Sequence, residues 1–337
     1  MLRYFAFSSL LTLAAILVAL LGIDAGAALT VIVLIAIEIA FSFDNAVINA
    51  KILDRLSNLW QQLFLTIGMV FAILGMRFVF PILIIMVTAG LSWSQVFNTA
   101  LHDPHQYARY LEAARVSIAA FGGSFLLLLT LYFFIDGGER RVLWLRWIER
   151  PLQRIGGTVW VPPLAAAVIV VVLSFFAGGE SGTVLRAGLA GTVLYAAIKL
   201  LIDGLDKLAP KEQKTYTGWP AFLAFMYLQL LDASFSFDGV LGAFAITDKV
   251  LLIALGLGVG AFWVRSLTVF MVRRGTLDVY RYLEHGAHYA IFVLAAALLT
   301  SVFYEVPDAI TGIVGLGIIG SSFVASRQAL KARAARA

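Results

Sequence analysis

The 337-residue chain contains no cysteine, which excludes a disulfide framework, a thiolate metal centre and a cysteine nucleophile. Any metal held here must rest on oxygen or imidazole ligands, and that disfavours soft ions. Charge is scarce too. Asp, Glu, Lys and Arg make up 13% of the residues, about half of the ~25% typical of a soluble domain. Walker, metalloprotease and nucleophile-elbow patterns are missing, and nothing in the sequence reads as an enzyme. What is abundant is apolar surface: 61% of the residues are hydrophobic, against roughly 45–50% in globular proteins. So few charges could not keep a chain of this length in water. It is an integral membrane protein, and its net charge of +5 carries no nucleic-acid signal.

A membrane-spanning helix needs about 20 mainly apolar residues to cross a ~30 Å hydrocarbon core. That ruler predicts ten segments in an all-α membrane protein, near 4–22, 28–50, 61–89, 115–135, 161–177, 183–203, 219–246, 250–272, 287–304 and 308–325. Arg3 before the first run, and Ala25-Gly26-Ala27 after it, resemble a signal peptide with its cleavage site. A retained helix is the expectation, because the second half holds a counterpart. With ten spans, eighteen of the 25 Lys and Arg fall on the side of the N-terminus. These are Arg3, Lys51, Arg55, the Arg140–Arg154 group, Lys207, Lys211, Lys214, Arg273, Arg274, Arg281 and the basic C-terminal tail. Only Arg109, Arg115, Arg186 and Lys249 fall opposite. Positive residues accumulate on the cytoplasmic side, so both termini are expected there.

The chain also repeats itself. Glu38-Ile-Ala-Phe-Ser-Phe-Asp44-Asn45 in the second segment matches Asp232-Ala-Ser-Phe-Ser-Phe-Asp238-Gly239 in the seventh. Arg109-Tyr-Leu-Glu112 matches Arg281-Tyr-Leu-Glu284, and Arg77 and Arg265 each follow a motif by one span. A fainter echo links Leu21-Gly-Ile-Asp24 to Leu200-Leu-Ile-Asp203. Five spans separate the two motif helices, so they run in opposite directions. This is the signature of an inverted-topology 5+5 repeat, whose substrate site lies at the midplane. Residues 1–180 form the first half and 181–337 the second, within one transmembrane domain.

A charged side chain at mid-bilayer costs at least about 2.5–3.5 kcal/mol. Glu38, Asp44, Asp232 and Asp238 together would cost on the order of 10 kcal/mol if unpaired. Protonation, arginine partners or a bound cation must compensate them. At 100° per residue, Glu38, Ser42, Asn45 and Asn49 share one stripe, and Gln229, Asp232, Ser236 and Gly239 share its equivalent. Six residues turn Asp44 about 120° away from Glu38, so one cation reaches both only if the helix unwinds around Ser42-Phe43. Freed carbonyls would then join the ligands. Carboxylates, Asn45 and the hydroxyls of Ser42 and Ser236 make a hard oxygen set suited to Mn²⁺, Mg²⁺ or Ca²⁺. Two readings compete: acids salt-bridged to Arg77 and Arg265, and a metal-free proton relay. Two arginines cannot neutralise four acids. The arginines are expected on Asp44 and Asp238.

The paired Glu-x5-Asp-Asn and Asp-x5-Asp motifs with trailing arginines resemble the TerC integral-membrane family, within the lysine-exporter superfamily of inverted-repeat transporters. The resemblance covers most of residues 28–325. It implies a bacterial divalent-metal exporter, best supported for Mn²⁺, in the cytoplasmic membrane, with Glu38, Asp44, Asn45, Asp232 and Asp238 as ligands. It implies no organic cofactor. Gly239 departs from the family's second motif, which has serine there, and ten spans exceed the usual number. Family members are also linked to tellurite resistance.

Other signals have plainer readings. Gly315-Leu-Gly317-Ile-Ile-Gly320 fits a dinucleotide pattern but sits in an apolar span, where helix packing is expected, as for Gly256 and Gly260. The pairs His102/His105 and His285/His288 have helical ligand spacing but read as ordinary interfacial histidines, with a regulatory site as the alternative. Lys199 and Asp203 form an i, i+4 pair, structural or proton-carrying. Residues 137–158, with Arg140 to Arg154 and the nearby Trp144, Trp147 and Trp160, read as an amphipathic linker on the cytoplasmic membrane surface.

Export of a divalent cation against a negative cytoplasm costs roughly 2 × 2.3 kcal/mol per 100 mV. With no nucleotide-binding domain, proton antiport is the expected coupling. Two alternatives belong to other classes: a non-transporting membrane scaffold in a stress-resistance complex, which deletion of the linker would disable, and an exporter of small organic solutes, whose site would lack converging carboxylates.

Overall fold

With no water inside a bilayer to satisfy backbone N–H and C=O groups, long apolar runs close their hydrogen bonds as helices, and the computed structural model of the chain is all-helical. It describes residues 2–71, 75, 79–135, 142–155, 159–208, 215–244, 246–247, 249–304 and 306–334; among the side chains outside the description are those of 233–242. In chain order the helices are α1 (Leu2–Gly22), α2 (Ala25–Phe41), α3 (Phe43–Leu53), α4 (Asn58–Leu65), α5 (Ile67–Val70), α6 (Phe80–Ala89), α7 (Trp93–His102) and α8 (Pro104–Ile135). Then follow α9 (Arg146–Ile155), α10 (Val161–Phe176), α11 (Ser181–Leu208), α12 (Gly218–Phe244), α13 (Val250–Arg273), α14 (Thr276–Val279), α15 (Leu283–Ser301) and α16 (Asp308–Ala334).

Among the described residues six helices are long and apolar enough to cross a membrane, and seven if the bent pair α2–α3 counts as one span. They are α1, α8, α11, α13, α15 and α16 in whole or large part. Several apolar helices of this kind make a multi-pass membrane protein. At 16 residues, α10 reaches only about 24 Å. The predicted segment 61–89 is not one continuous helix, because Thr66, at φ −106° and ψ −81°, separates α4 from α5.

The chain divides into two compact units that interleave the sequence halves. One comprises 1–115 and 213–274, the other 116–212 and 275–337. The first unit therefore holds the second and third predicted segments beside the seventh and eighth. The second unit holds the fourth and fifth beside the ninth and tenth. The first and sixth segments fall in different units.

In the first unit, α13 packs along α2, α1 and α3. Gly256 and Gly260 make this possible. A Cβ on Gly256 would lie 2.5 Å from Leu34 Cβ, and one on Gly260 would lie 2.5 Å from Glu38 Cβ and 2.6 Å from its Cγ. The helix-packing reading of this pair holds, and it fixes where Glu38 sits. Helix α1 is an integral element of the unit. Ser8 Oγ donates to Phe262 O (3.1 Å), Trp263 Nε1 donates to Thr12 Oγ1 (2.9 Å), and Phe5 stacks on Trp263. Leu56 and Tyr216 form an isolated bridge that ties the end of α3 to the start of α12.

In the second unit, α11 approaches α10 where Gly188 faces Val170, and Ser124 Oγ of α8 donates to Gly188 O at 2.7 Å. Helices α15 and α16 pack through Gly286 against Ser322. The glycines of the dinucleotide-like pattern are not that contact. Only Gly315 has a close neighbour, Ala290, while Gly317 and Gly320 have open space where a Cβ would stand. The expectation of helix packing through all three is corrected accordingly.

A paired substitution tests the distinction. Gly260→Ala must push α13 off α2 and is expected to cost about 1–3 kcal/mol through overpacking. Gly317→Ala fills open space inside a helix and is expected to be neutral or stabilising by up to about 1 kcal/mol. Thermal unfolding of the two variants in detergent reads the difference. Equal behaviour would contradict this packing.

Candidate functional site

The acidic end of α2 grows out of a long apolar run. Asp24 caps its start, its Oδ1 accepting from Ala27 N at 2.7 Å. The run continues through Leu34, Ile35 and Glu38 to Phe41. There the axis bends by 53° into α3. Ser42 carries the bend at φ −100° and ψ 16°. The helix is interrupted at the place where unwinding was the condition for one cation to reach both acids. Ser42 N still donates to Glu38 O (3.0 Å) and Ala46 N to Ser42 O (3.1 Å), so these two carbonyls stay in the helical ladder. The backbone of α12 runs helical through Ser236-Phe237-Asp238-Gly239, so the second motif has no such interruption.

Bending nevertheless gathers polar groups. Glu38, Ser42, Asp44, Asn45 and Asn49 are all buried. Ser42 Oγ donates to Glu38 Oε1 at 3.1 Å. Asp44 sits in the first turn of α3, its Oδ1 accepting from Asn45 N at 2.8 Å, where the helix dipole favours an acid.

The two motifs meet at Asp232. Its Oδ1 accepts from Asn45 Nδ2 (2.9 Å) and Asn49 Nδ2 (2.7 Å), and its Oδ2 from Arg265 Nη2 (2.6 Å). The expected pairing of an arginine with Asp238 falls on a side chain outside the described residues; Arg265 pairs with Asp232. This arginine is buried and held on several sides. Nη1 donates to Phe64 O (2.5 Å), the guanidinium lies 4.0 Å over the Phe64 ring, and Gln229 Oε1 is 3.4 Å from Nη2. Gly68 leaves the room, since a Cβ there would come within 2.8 Å of both Arg265 Nη1 and Gln229 Nε2. Arg77 and the side chains of Ser236 and Asp238 lie outside the described residues.

Among the described residues, three polar atoms of this cluster are buried without a hydrogen-bond partner: Asn45 Oδ1, Asn49 Oδ1 and Gln229 Nε2. Each such atom costs about 1–3 kcal/mol. Two acceptor oxygens and a donor, left open beside acids and an arginine, make a site that can accept a ligand. Among the described residues no three His, Asp or Glu side chains converge on a common metal position. Asn49 and Gln229 lie on the polar stripes read from the sequence but were not among the expected ligands. The Phe64 carbonyl has no sequence signal at all, because backbone donors and acceptors are invisible in residue type.

The other polar pairs have structural partners. Lys199 Nζ lies 2.5 and 2.6 Å from the two Asp203 carboxylate oxygens and 5.5 Å from the Tyr132 ring centroid. His102 ends α7 and His105 lies in α8, both exposed and on different helices. His285 and His288 are both buried. His288 stacks on Phe133, and its Nδ1 is 2.8 Å from Glu284 O.

A family model described as protein of unknown function (DUF475) matches residues 43–333. No curated protein matches the chain. No solved structure matches it either. The matched stretch contains Asp44, Asn45, Asn49, Asp232, Asp238 and Arg265, and begins just after Glu38 and Ser42. Covering most of the sequence, the match shows that the chain belongs to the DUF475 family.

Proposed function

We propose that the chain is a divalent-cation exporter of the bacterial cytoplasmic membrane, with Mn²⁺ as its principal cargo and protons as the coupling ion. In this reading ten spans form a 5+5 inverted repeat with both termini in the cytoplasm. The observation that carries it is the meeting of the two motif copies inside the apolar bundle, with Asn45 and Asn49 of one holding Asp232 of the other. The interleaved units agree with it for four of the five corresponding pairs, which fall within one unit each; the first and sixth segments do not. The resemblance to the TerC family points to the same cargo.

Charge supports a doubly charged ion. Four acids against two arginines leave two negative charges when all are ionised. Arg265 already balances Asp232, so the cation would be held mainly by Glu38, Asp44 and Asp238, with oxygens from Asn45 and Ser42. Such ligands bind metal only when deprotonated. Cytoplasmic ions therefore enter an ionised site, and protons from outside release them. Metal affinity is expected to fall as pH falls.

Metal analysis of the purified protein tests this. Wild type is expected to retain stoichiometric Mn²⁺ after dialysis, and the Glu38→Gln/Asp44→Asn variant to retain none. Equal metal in both would end the reading. A second reading, export of a small organic solute, draws on the absence of three converging acids among the described residues. There the Asp232–Arg265 pair and the open amide atoms would grip a zwitterion. Metal-free protein that binds such a solute would favour it.

A further inference from the structure

We propose that α9 is an anionic-phospholipid binding element, oriented for that task by a buried glutamate. The ten residues of α9 contain one acid, Glu149, and three arginines, Arg146, Arg150 and Arg154. Glu149 is turned inward and is 2% exposed. Its Oε2 accepts from Trp144 N (3.2 Å) and its Oε1 from Leu145 N (3.1 Å), satisfying backbone donors at the start of the helix. Tyr289 Oη donates to Oε1 at 3.2 Å, and His285 Nε2 lies 3.5 Å from Oε2. These partners come from α15, in the same compact unit. The acid is thereby used up inside, and every charge left on the outside of α9 is positive.

The outer arc has two edges. At 100° per residue, Arg146, Arg150 and Arg154 fall 40° apart in succession along one line, and Trp147, Pro151 and Ile155 follow 100° further round. All six are exposed, Trp147 to 77%. A cationic ridge beside an apolar ridge is the pattern of a helix lying at the boundary between headgroups and acyl chains. An acidic protein would use the arginines and leave the apolar ridge wet. Only residues 156–160 separate α9 from the apolar helix α10, and Val159 and Trp160 among them are exposed. Five residues span at most about 18 Å, so α9 cannot leave the edge of the bundle.

The absence of cysteine gives a clean test in the full chain. A nitroxide on Ile155→Cys, in nanodiscs of phosphatidylcholine alone or mixed with phosphatidylglycerol, reports depth through its relaxation by oxygen and by a water-soluble nickel chelate. The label is expected to be immersed in the phosphatidylglycerol discs and to rise toward water in the neutral ones. Each arginine replaced by glutamine should lower the ratio of immersed to water-exposed label about fivefold in anionic discs, and high salt should act in the same direction. The arginines are exposed, so Arg146→Gln/Arg150→Gln/Arg154→Gln is expected to fold like wild type; the neutral-disc spectrum checks that. Immersion that ignores both lipid charge and the arginines overturns the proposal. So does a label that stays in water in both discs and becomes immobile only on adding polyglutamate, which would assign the face to an acidic protein.

Discussion

Asp44→Asn is expected to abolish Mn²⁺ flux in proteoliposomes while the protein still folds. The asparagine is nearly isosteric and can still accept through its carbonyl from Asn45 N, the bond seen at 2.8 Å. The bend at Ser42 and the packing of α3 should therefore survive. What disappears is one negative charge among buried groups. With the site's net charge reduced from two to one, a doubly charged cargo is left with an unbalanced positive charge in a low-dielectric interior, where uncompensated charge costs several kcal/mol. Each 1.4 kcal/mol is tenfold in binding, so loss of at least a hundredfold in flux follows. Asp238→Asn, the partner position in the repeat, is expected to behave alike. Wild-type flux in either variant would remove the carboxylates from the transport step.

The sequence made the helical class and the meeting of the two motifs legible for one reason: scarcity. In a chain so poor in charge, four acids inside apolar runs stand out, and the matching motifs suggest which helices to expect face to face. Asn45, Asp232 and Arg265 do come together. The pairing within that cluster was not legible. That Arg265 reaches Asp232 depends on the space opened by Gly68 and on the carbonyl of Phe64, and neither is marked by residue type. Helical periodicity predicted that Glu38 and Asp44 point apart. It could not say how the chain resolves this, which is by bending 53° at Ser42, where α2 ends and α3 begins. The role of Glu149 was hidden for a similar reason. An acid in a basic amphipathic segment reads as one more solvated charge until its partners on a distant helix are known.

The Arg265–Asp232 pair yields the second large effect, one that holds whatever the protein carries. Arg265→Met keeps the length of the stem but leaves Asp232 with two amide donors among the described residues for a buried charge. Breaking a buried pair from one side costs about 3–5 kcal/mol, and here the Phe64 carbonyl and the Phe64 ring face lose their partner as well. Asp232→Asn, the opposite half, leaves a buried guanidinium and should cost a similar amount. Replacing both removes the stranded charge. The double variant Asp232→Asn/Arg265→Met is therefore expected to regain most of the loss, a coupling of about 2–4 kcal/mol in a thermal-unfolding double-mutant cycle. Because the double change also preserves the site's net charge, it should keep more Mn²⁺ binding than Asp44→Asn does. Additive destabilisation would mean that the pair is not closed in the folded membrane protein. A stable double variant that binds no metal would instead make Asp232 itself a ligand, reached only when Arg265 lets go.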